Sequence, residues 1–173
     1  MGTGKTAVGA ALAGLLQRKM LDMDAEIVQR EGRSISRIFA EDGEPHFRQI
    51  ERRLVQELAG RNGLIIATGG GVVLNPLNIE DFSRSGFMAC LQARAETIYA
   101  RIKHDTTRPL LQGDGDKIEK INVILNSRKA IYASIPFQFS VDDLSVEQVA
   151  TAIRNEFLKW AEPTKQNKTG TDR

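Results

Sequence analysis

The sequence contains one cysteine among 173 residues, so the chain has no internal disulfide. That residue, Cys90, lies in the apolar run 87–91, where a buried structural thiol is the expected role. No apolar stretch approaches the roughly 18 residues that a membrane helix needs. No charged-then-apolar signal segment opens the chain. These absences predict a soluble, cytoplasmic protein without membrane contact.

The sequence also lacks an excess of charge of either sign, because 24 basic residues face 22 acidic ones and the net charge is +2. Nucleic-acid-binding domains usually carry a clear basic excess, so no such partner is expected, whereas a small anionic ligand is compatible. The length and the 41% hydrophobic content suit one globular domain. We expect it to span residues 1–160, with a disordered tail at 161–173 that has no apolar pattern.

Short apolar runs that predict strands alternate with patterns that predict helices. This alternation predicts an α/β fold with a parallel sheet, in which ligands bind at the carboxyl ends of the strands. The strands are expected at residues 19–21, 64–67, 87–92 and 137–141.

The opening residues match the second half of the phosphate-binding pattern G-x-x-x-x-G-K-[ST]. Glycines let backbone amides turn toward phosphate oxygens, and the helix that follows presents its positive end to the same anion. Lys5 would reach the β and γ phosphates, and the Thr6 hydroxyl would bind Mg²⁺. The ATP-binding residues predicted here are Gly2, Thr3, Gly4, Lys5 and Thr6. The alternative is an ordinary glycine-rich tail before a helix.

The first glycine of that pattern, and the strand that should lead into the loop, have no counterpart in the sequence. We therefore expect strand 1 of the sheet to be missing or truncated. A missing central strand would leave unpaired strand edges on both neighbours and a gap in the core.

Two acids, Asp22 and Asp24, follow the first predicted strand. Strand alternation would put them on one face if the strand continued that far. Asp22 would then serve Mg²⁺ through a water, and Asp24 would orient or deprotonate a substrate hydroxyl. The alternative is an aspartate that caps the next helix.

Two arginines have settings that suit anion binding. Arg48 and Glu51 are three apart in a predicted helix, so the carboxylate would hold the guanidinium ready for a bidentate grip on a substrate carboxylate. The alternative is a surface ion pair of little energetic value. Arg108 lies in the polar, glycine-containing stretch 104–117, which predicts a lid that carries positive charge onto a transferring phosphoryl group.

Three consecutive glycines, Gly69, Gly70 and Gly71, follow the predicted buried strand 64–67. Such a run costs conformational entropy, which is tolerable where a ligand must approach the backbone closely. A simple turn needs fewer glycines, so the triplet predicts a ligand-contacting loop.

Taken in order, these motifs resemble the shikimate kinase family over nearly the whole chain, about residues 1–155. The resemblance rests on the series 1–6, Leu21-Asp22-Met23-Asp24, Gly32-Arg33-Ser34-Ile35, Phe47-Arg48 with Glu51, Ala67-Thr68-Gly69-Gly70-Gly71, Arg108-Pro109-Leu110-Leu111, and Arg128 with Tyr132.

The resemblance implies a three-layer P-loop kinase fold with a parallel sheet of order 2-3-1-4-5. It implies transfer of the ATP γ-phosphoryl group to the 3-hydroxyl of shikimate, with Mg²⁺, by a monomer. The substrate segment would be about 24–60. The implied catalytic residues are Lys5, Asp24 and Arg108, the last also binding ATP. Shikimate would be bound by Asp24, Arg48, Gly69, Gly70, Gly71 and Arg128, and Mg²⁺ by Thr6 and, through water, Asp22.

Two alternatives stay open from the residues. One is a related P-loop kinase acting on another small hydroxylated acid, such as gluconate. The other is a shikimate-kinase-like module that binds its ligand without catalysis.

Overall fold

A computed structural model of the protein describes residues 2–103 and 116–162. The predictions for Arg108, for lid residues 104–115 and for tail residues 163–173 lie outside this range. The last two residues of the expected lid, Asp116 and Lys117, are the cap and first residue of a helix. Ala161, expected to begin the tail, ends the last helix instead.

The described chain contains four strands and seven helices, and at least one helix lies between consecutive strands. The helices are α1 Lys5–Leu16, α2 Met23–Glu31, α3 Ile35–Ala59, α4 Pro76–Ser83, α5 Ala95–Ile102, α6 Lys117–Ala133 and α7 Val146–Ala161, and a 3-10 turn spans Val72–Leu74. The strands are β1 Lys19–Asp22, β2 Leu64–Ala67, β3 Ala89–Gln92 and β4 Phe137–Ser140.

Local sequence signals account for most helix boundaries. Helix α2 is capped by the side chain of Asp22 and α3 by Ser34, while Ser145 and Gln148 form the predicted capping box of α7. The sequence predicts separate helices at 34–40 and from Glu44, and α3 indeed contains a break at Gly43, whose φ of 81° is left-handed.

The strands pair in parallel as two separate two-stranded sheets, β1 with β2 and β3 with β4. These are the pairs 2-3 and 4-5 of the expected order. Within the described residues no strand lies between β2 and β3. A cavity of about 1090 Å³ lies there instead, lined by both strands. The gap that the sequence predicts in place of a central strand is therefore present.

The strands lie between two helical layers. Leu64 and Ile66 of β2 pack on the cluster formed by α2 and α3, whereas Ile65 packs on the cluster formed by α1 and α7. Alternate side chains of a strand point to opposite faces, so β2 is covered on both sides, as the three-layer α/β fold requires. A third cluster, with Ile98 and Ile121 fully buried, joins α5 to α6.

Candidate active site

The phosphate-loop residues precede α1 directly. Gly2 and Gly4 have φ values of 65° and 85°, which glycine adopts without strain, and Lys5 is the first residue of the helix. The Thr6 hydroxyl donates a 2.6 Å hydrogen bond to Oδ2 of Asp22. The structure therefore brings together the two side chains predicted to serve the metal. Their hydroxyl and carboxylate oxygens are ligands that Mg²⁺ accepts.

Asp22 has a second role, which the sequence offered only as the alternative. Its Oδ1 accepts hydrogen bonds from the backbone amides of Asp24 and Ala25, at 3.0 and 3.2 Å, and so caps α2. The condition for Asp22 and Asp24 to share a strand face is not met, because β1 ends at Asp22 and Asp24 is already in α2. The cap fixes the carboxylate that also accepts from Thr6.

Asp24 lies against the first glycine of the triplet. A Cβ atom at Gly69 would stand 2.8 Å from Oδ1 of Asp24 and 3.3 Å from Oε1 of Glu51. A larger residue would collide with the Asp24 carboxylate and press tightly on that of Glu51, so the glycine is what lets the loop approach them.

The predicted pair of Arg48 and Glu51 is formed, with Nη1 of the arginine donating to Oε2 of Glu51 at 2.8 Å. Glu44, which sequence reasoning did not assign, accepts from Nε and Nη2 of the same guanidinium at 3.1 and 2.9 Å. Its position one turn before Arg48 was the signal available. Glu51 is only 2% exposed, so this is not the surface ion pair of the alternative interpretation.

Burial and neighbouring charge act in opposite directions on this pair. Burial is the largest influence on the pKa of Glu51 and raises it, whereas the charge and the hydrogen bond of Arg48 lower it. The carboxylates of Asp24 and Glu44 also raise it, and the net shift of the pKa is upward. Burial works against the charge of Arg48, but Glu51 and Glu44 outweigh it and raise the pKa of the guanidinium above its ordinary value. Arg48 therefore stays cationic and is held in place from two sides.

Arg48 also packs closely on the third glycine. A Cβ atom at Gly71 would lie 2.5 Å from both Nη1 and Nη2 of Arg48, well inside van der Waals contact. The middle glycine, Gly70, accepts hydrogen bonds on its carbonyl from Nη1 of Arg128 at 3.2 Å and from the Tyr132 hydroxyl at 3.0 Å. Tyr132, one helical turn beyond Arg128, had no role assigned from the sequence.

Each glycine of the triplet thus meets one side chain predicted to bind substrate: Asp24 at Gly69, Arg128 at Gly70 and Arg48 at Gly71. The cavity beside β2 is also lined by Lys5, Gly69 and Gly70. The phosphate loop and the glycine loop therefore face a common space, which suits transfer of a group between two ligands.

A family model described as shikimate kinase matches residues 1–158. The chain belongs to the shikimate kinase family. Among its curated relatives, the shikimate kinase of Pelotomaculum thermopropionicum is 43% identical over 92% of this chain and 91% of its own length.

Solved shikimate kinases have the same fold. The enzyme of Acinetobacter baumannii, solved in complex with shikimate, matches with a TM-score of 0.89 and 33% identity, covering 94% of this chain and 91% of that one. The enzyme of Bacteroides thetaiotaomicron matches with a TM-score of 0.79 and 29% identity, covering 94% of both chains. The predicted P-loop fold and the predicted ATP-dependent kinase of the shikimate pathway are confirmed, and the gluconate alternative is not supported.

Proposed function

We propose that the glycine loop and its three partners form the shikimate site, and that the chain transfers the γ-phosphoryl group of ATP to the 3-hydroxyl of shikimate there. The observation that carries this proposal is that Gly69, Gly70 and Gly71 each contact a different predicted substrate residue. Two guanidinium groups and one carboxylate around a glycine backbone match a ligand with one carboxylate and several hydroxyls.

The substrate carboxylate would bind to Arg48 and Arg128. A guanidinium has five N–H donors, and Glu51 and Glu44 hold Arg48 so that little side-chain entropy remains to be lost on binding. The hydroxyl groups would bind to Asp24 and to the backbone of the glycine loop.

Phosphoryl transfer would occur where this site meets the phosphate loop. The 3-hydroxyl oxygen bonds to the γ phosphorus as the bond to ADP breaks, and the hydroxyl proton passes to the Asp24 carboxylate. Lys5 and, from the lid, Arg108 would bind the phosphates. Thr6 and, through water, Asp22 would hold Mg²⁺, which when bound neutralises phosphate charge. Positioning and charge neutralisation supply most of the catalysis in such reactions.

We also propose that the protein is a cytoplasmic monomer that binds neither nucleic acid nor membranes. The near balance of charge supports it. None of the helices in the described ranges combines the length and apolarity needed to cross a bilayer. Sedimentation velocity at several concentrations tests the monomer, since a rising mass would contradict it.

A coupled assay of ADP release tests the reaction, with shikimate and gluconate as alternative substrates. We expect turnover of shikimate alone, and Lys5→Ala should abolish it. Arg48→Ala should raise the KM for shikimate at least tenfold, since it removes a charged partner worth about 1.5–3 kcal/mol, and leave the KM for ATP unchanged. Arg53→Ala, at an exposed position of the same helix, is the matched control.

Two outcomes would overturn the proposal. Turnover of gluconate in preference to shikimate would contradict the substrate. Saturable shikimate binding without any ADP release would support the non-catalytic module.

A further inference from the structure

A buried asparagine links the glycine loop to a neighbouring helix through its side-chain hydrogen bonds. Asn78 of α4 is 1% exposed. Its Nδ2 donates to the carbonyl of Val72 at 2.9 Å, and its Oδ1 accepts from Nη1 of Arg52 at 3.1 Å. A guanidinium only donates and a carbonyl only accepts, so these two partners fix the orientation of the amide.

Val72 is the first residue after the triplet and connects directly to it. Its amide donates to the carbonyl of Gly69 at 3.2 Å, and the amide of Leu74 donates to the carbonyl of Gly71 at 3.0 Å. Holding the Val72 carbonyl therefore holds the turn that carries the first and third glycines.

The other end of the link belongs to the helix that carries the substrate arginine. Arg52 lies one turn after Arg48 in α3, and its guanidinium is anchored to Asp81 of α4 at 2.6 Å. Asn78 thus joins α3 to the glycine loop behind the site. Arg48 and Gly71 are packed so closely that a single carbon atom added to the glycine would collide with the guanidinium. The position of the glycine loop relative to α3 must therefore be kept accurately.

We propose that Asn78, held by Arg52, is a positioning residue that sets the register between the glycine loop and α3, and thereby the shikimate subsite. It acts through the Val72 carbonyl and has no part in binding ATP. This inference rests on the proposed function, because its readout is the affinity for shikimate.

Asn78→Asp is the sharpest perturbation. The substitution keeps the shape and the Arg52 partner, but it puts a carboxylate oxygen against the Val72 carbonyl, where the lost bond and the repulsion move the turn. We expect the KM for shikimate to rise about tenfold, the equivalent of about 1.4 kcal/mol, and the KM for ATP to change less than about twofold.

Asn75→Ala is the matched control. It removes the cap of the same helix, where Asn75 Oδ1 accepts from the Leu77 amide at 3.0 Å, and leaves the link to Arg52 intact. It should lower the melting temperature without changing the KM for shikimate, because a lost cap typically costs about 1 kcal/mol of stability. Arg52→Met should raise the KM for shikimate as Asn78→Asp does. The double variant should have a KM no higher than that of either single variant, because both substitutions interrupt the same connection from α3 through Asn78 to the Val72 carbonyl.

The outcomes separate the two claims. If the wild-type protein fails to turn over shikimate, the proposed function is wrong. If it succeeds, and Asn78→Asp and Arg52→Met match Asn75→Ala in losing stability alone, then Asn78 is only structural and the inference is overturned. If Asn78→Asp does not fold, the Arg52→Met kinetics decide in the same way.

Discussion

Gly71→Ala is the substitution that tests the site most specifically. Gly71 has φ −94° and ψ −8°, a conformation open to any residue, so the backbone tolerates alanine. The new methyl group, however, would lie 2.5 Å from two guanidinium nitrogens of Arg48. Normal separations are about 3.5 Å, so the guanidinium must withdraw by about 1 Å from a position that Glu51 and Glu44 hold.

The cost of that withdrawal should fall on shikimate binding. A misplacement of about 1 Å of a positioned group can cost about 10²-fold, and part of it is recovered by relaxation of the side chain. We expect the KM for shikimate to rise about 10- to 100-fold, the equivalent of about 1.4–2.7 kcal/mol, with the KM for ATP nearly unchanged. Steady-state kinetics by coupled ADP release, varying each substrate in turn, measures both.

Gly60→Ala is a close control. Gly60 has φ −83° and ψ −2°, nearly the backbone of Gly71, and its added carbon atom would meet nothing nearer than 3.9 Å. Both variants gain the same small stabilisation from a less flexible unfolded chain. If Gly71→Ala keeps the KM of Gly60→Ala, the assigned contact between Arg48 and the glycine loop is wrong.

Three further predictions follow from single contacts. Tyr132→Phe removes one of the two hydrogen-bond donors to the Gly70 carbonyl. The KM for shikimate should rise by about 2- to 12-fold, which is the effect of losing one hydrogen bond. An unchanged KM would mean that this bond does not order the glycine loop. Thr97 and the Arg94 backbone amide hold the pKa of Asp142 below its usual range, so its ionised form stabilises the fold. Asp142→Asn should therefore lower the melting temperature near neutral pH, with a difference from wild type that shrinks below about pH 4, and a constant difference would contradict this linkage. Burial raises the pKa of Cys90, which lines the cavity between β2 and β3. A thiol reagent should therefore modify Cys90 in the folded protein, but more slowly than it modifies a free thiol. If Cys90 reacts only after the protein is unfolded, the cavity is closed to the reagent and this prediction is wrong.

The parts of the fold that the sequence predicted have strong local signals. Strand β2 occupies the predicted residues 64–67, because four consecutive apolar residues ahead of glycines suit a buried parallel strand. The glycine triplet was predicted to allow a close approach to the backbone, and the groups that come close in this structure are Asp24 and Arg48. Its contact with a ligand stays a prediction.

The sequence did not predict features whose contacts join residues distant in sequence, or whose sequence signal is only a few residues long. Helix α4 was not predicted, although Asn75 followed by proline is a readable cap. The first strand was expected at residues 19–21, but β1 extends to Asp22, whose side chain caps α2, so that Asp24 already lies in the helix. Asn78 gave no signal, because its partner Arg52 is 26 residues away.

The most direct test of the account is a crystal structure of the protein with shikimate bound. We predict the shikimate carboxylate between Arg48 and Arg128, with a ring hydroxyl within hydrogen-bonding distance of Asp24 and the ring against the backbone of Gly69 to Gly71. Shikimate bound away from these glycines, or with its carboxylate touching neither arginine, would contradict the assignment of the site.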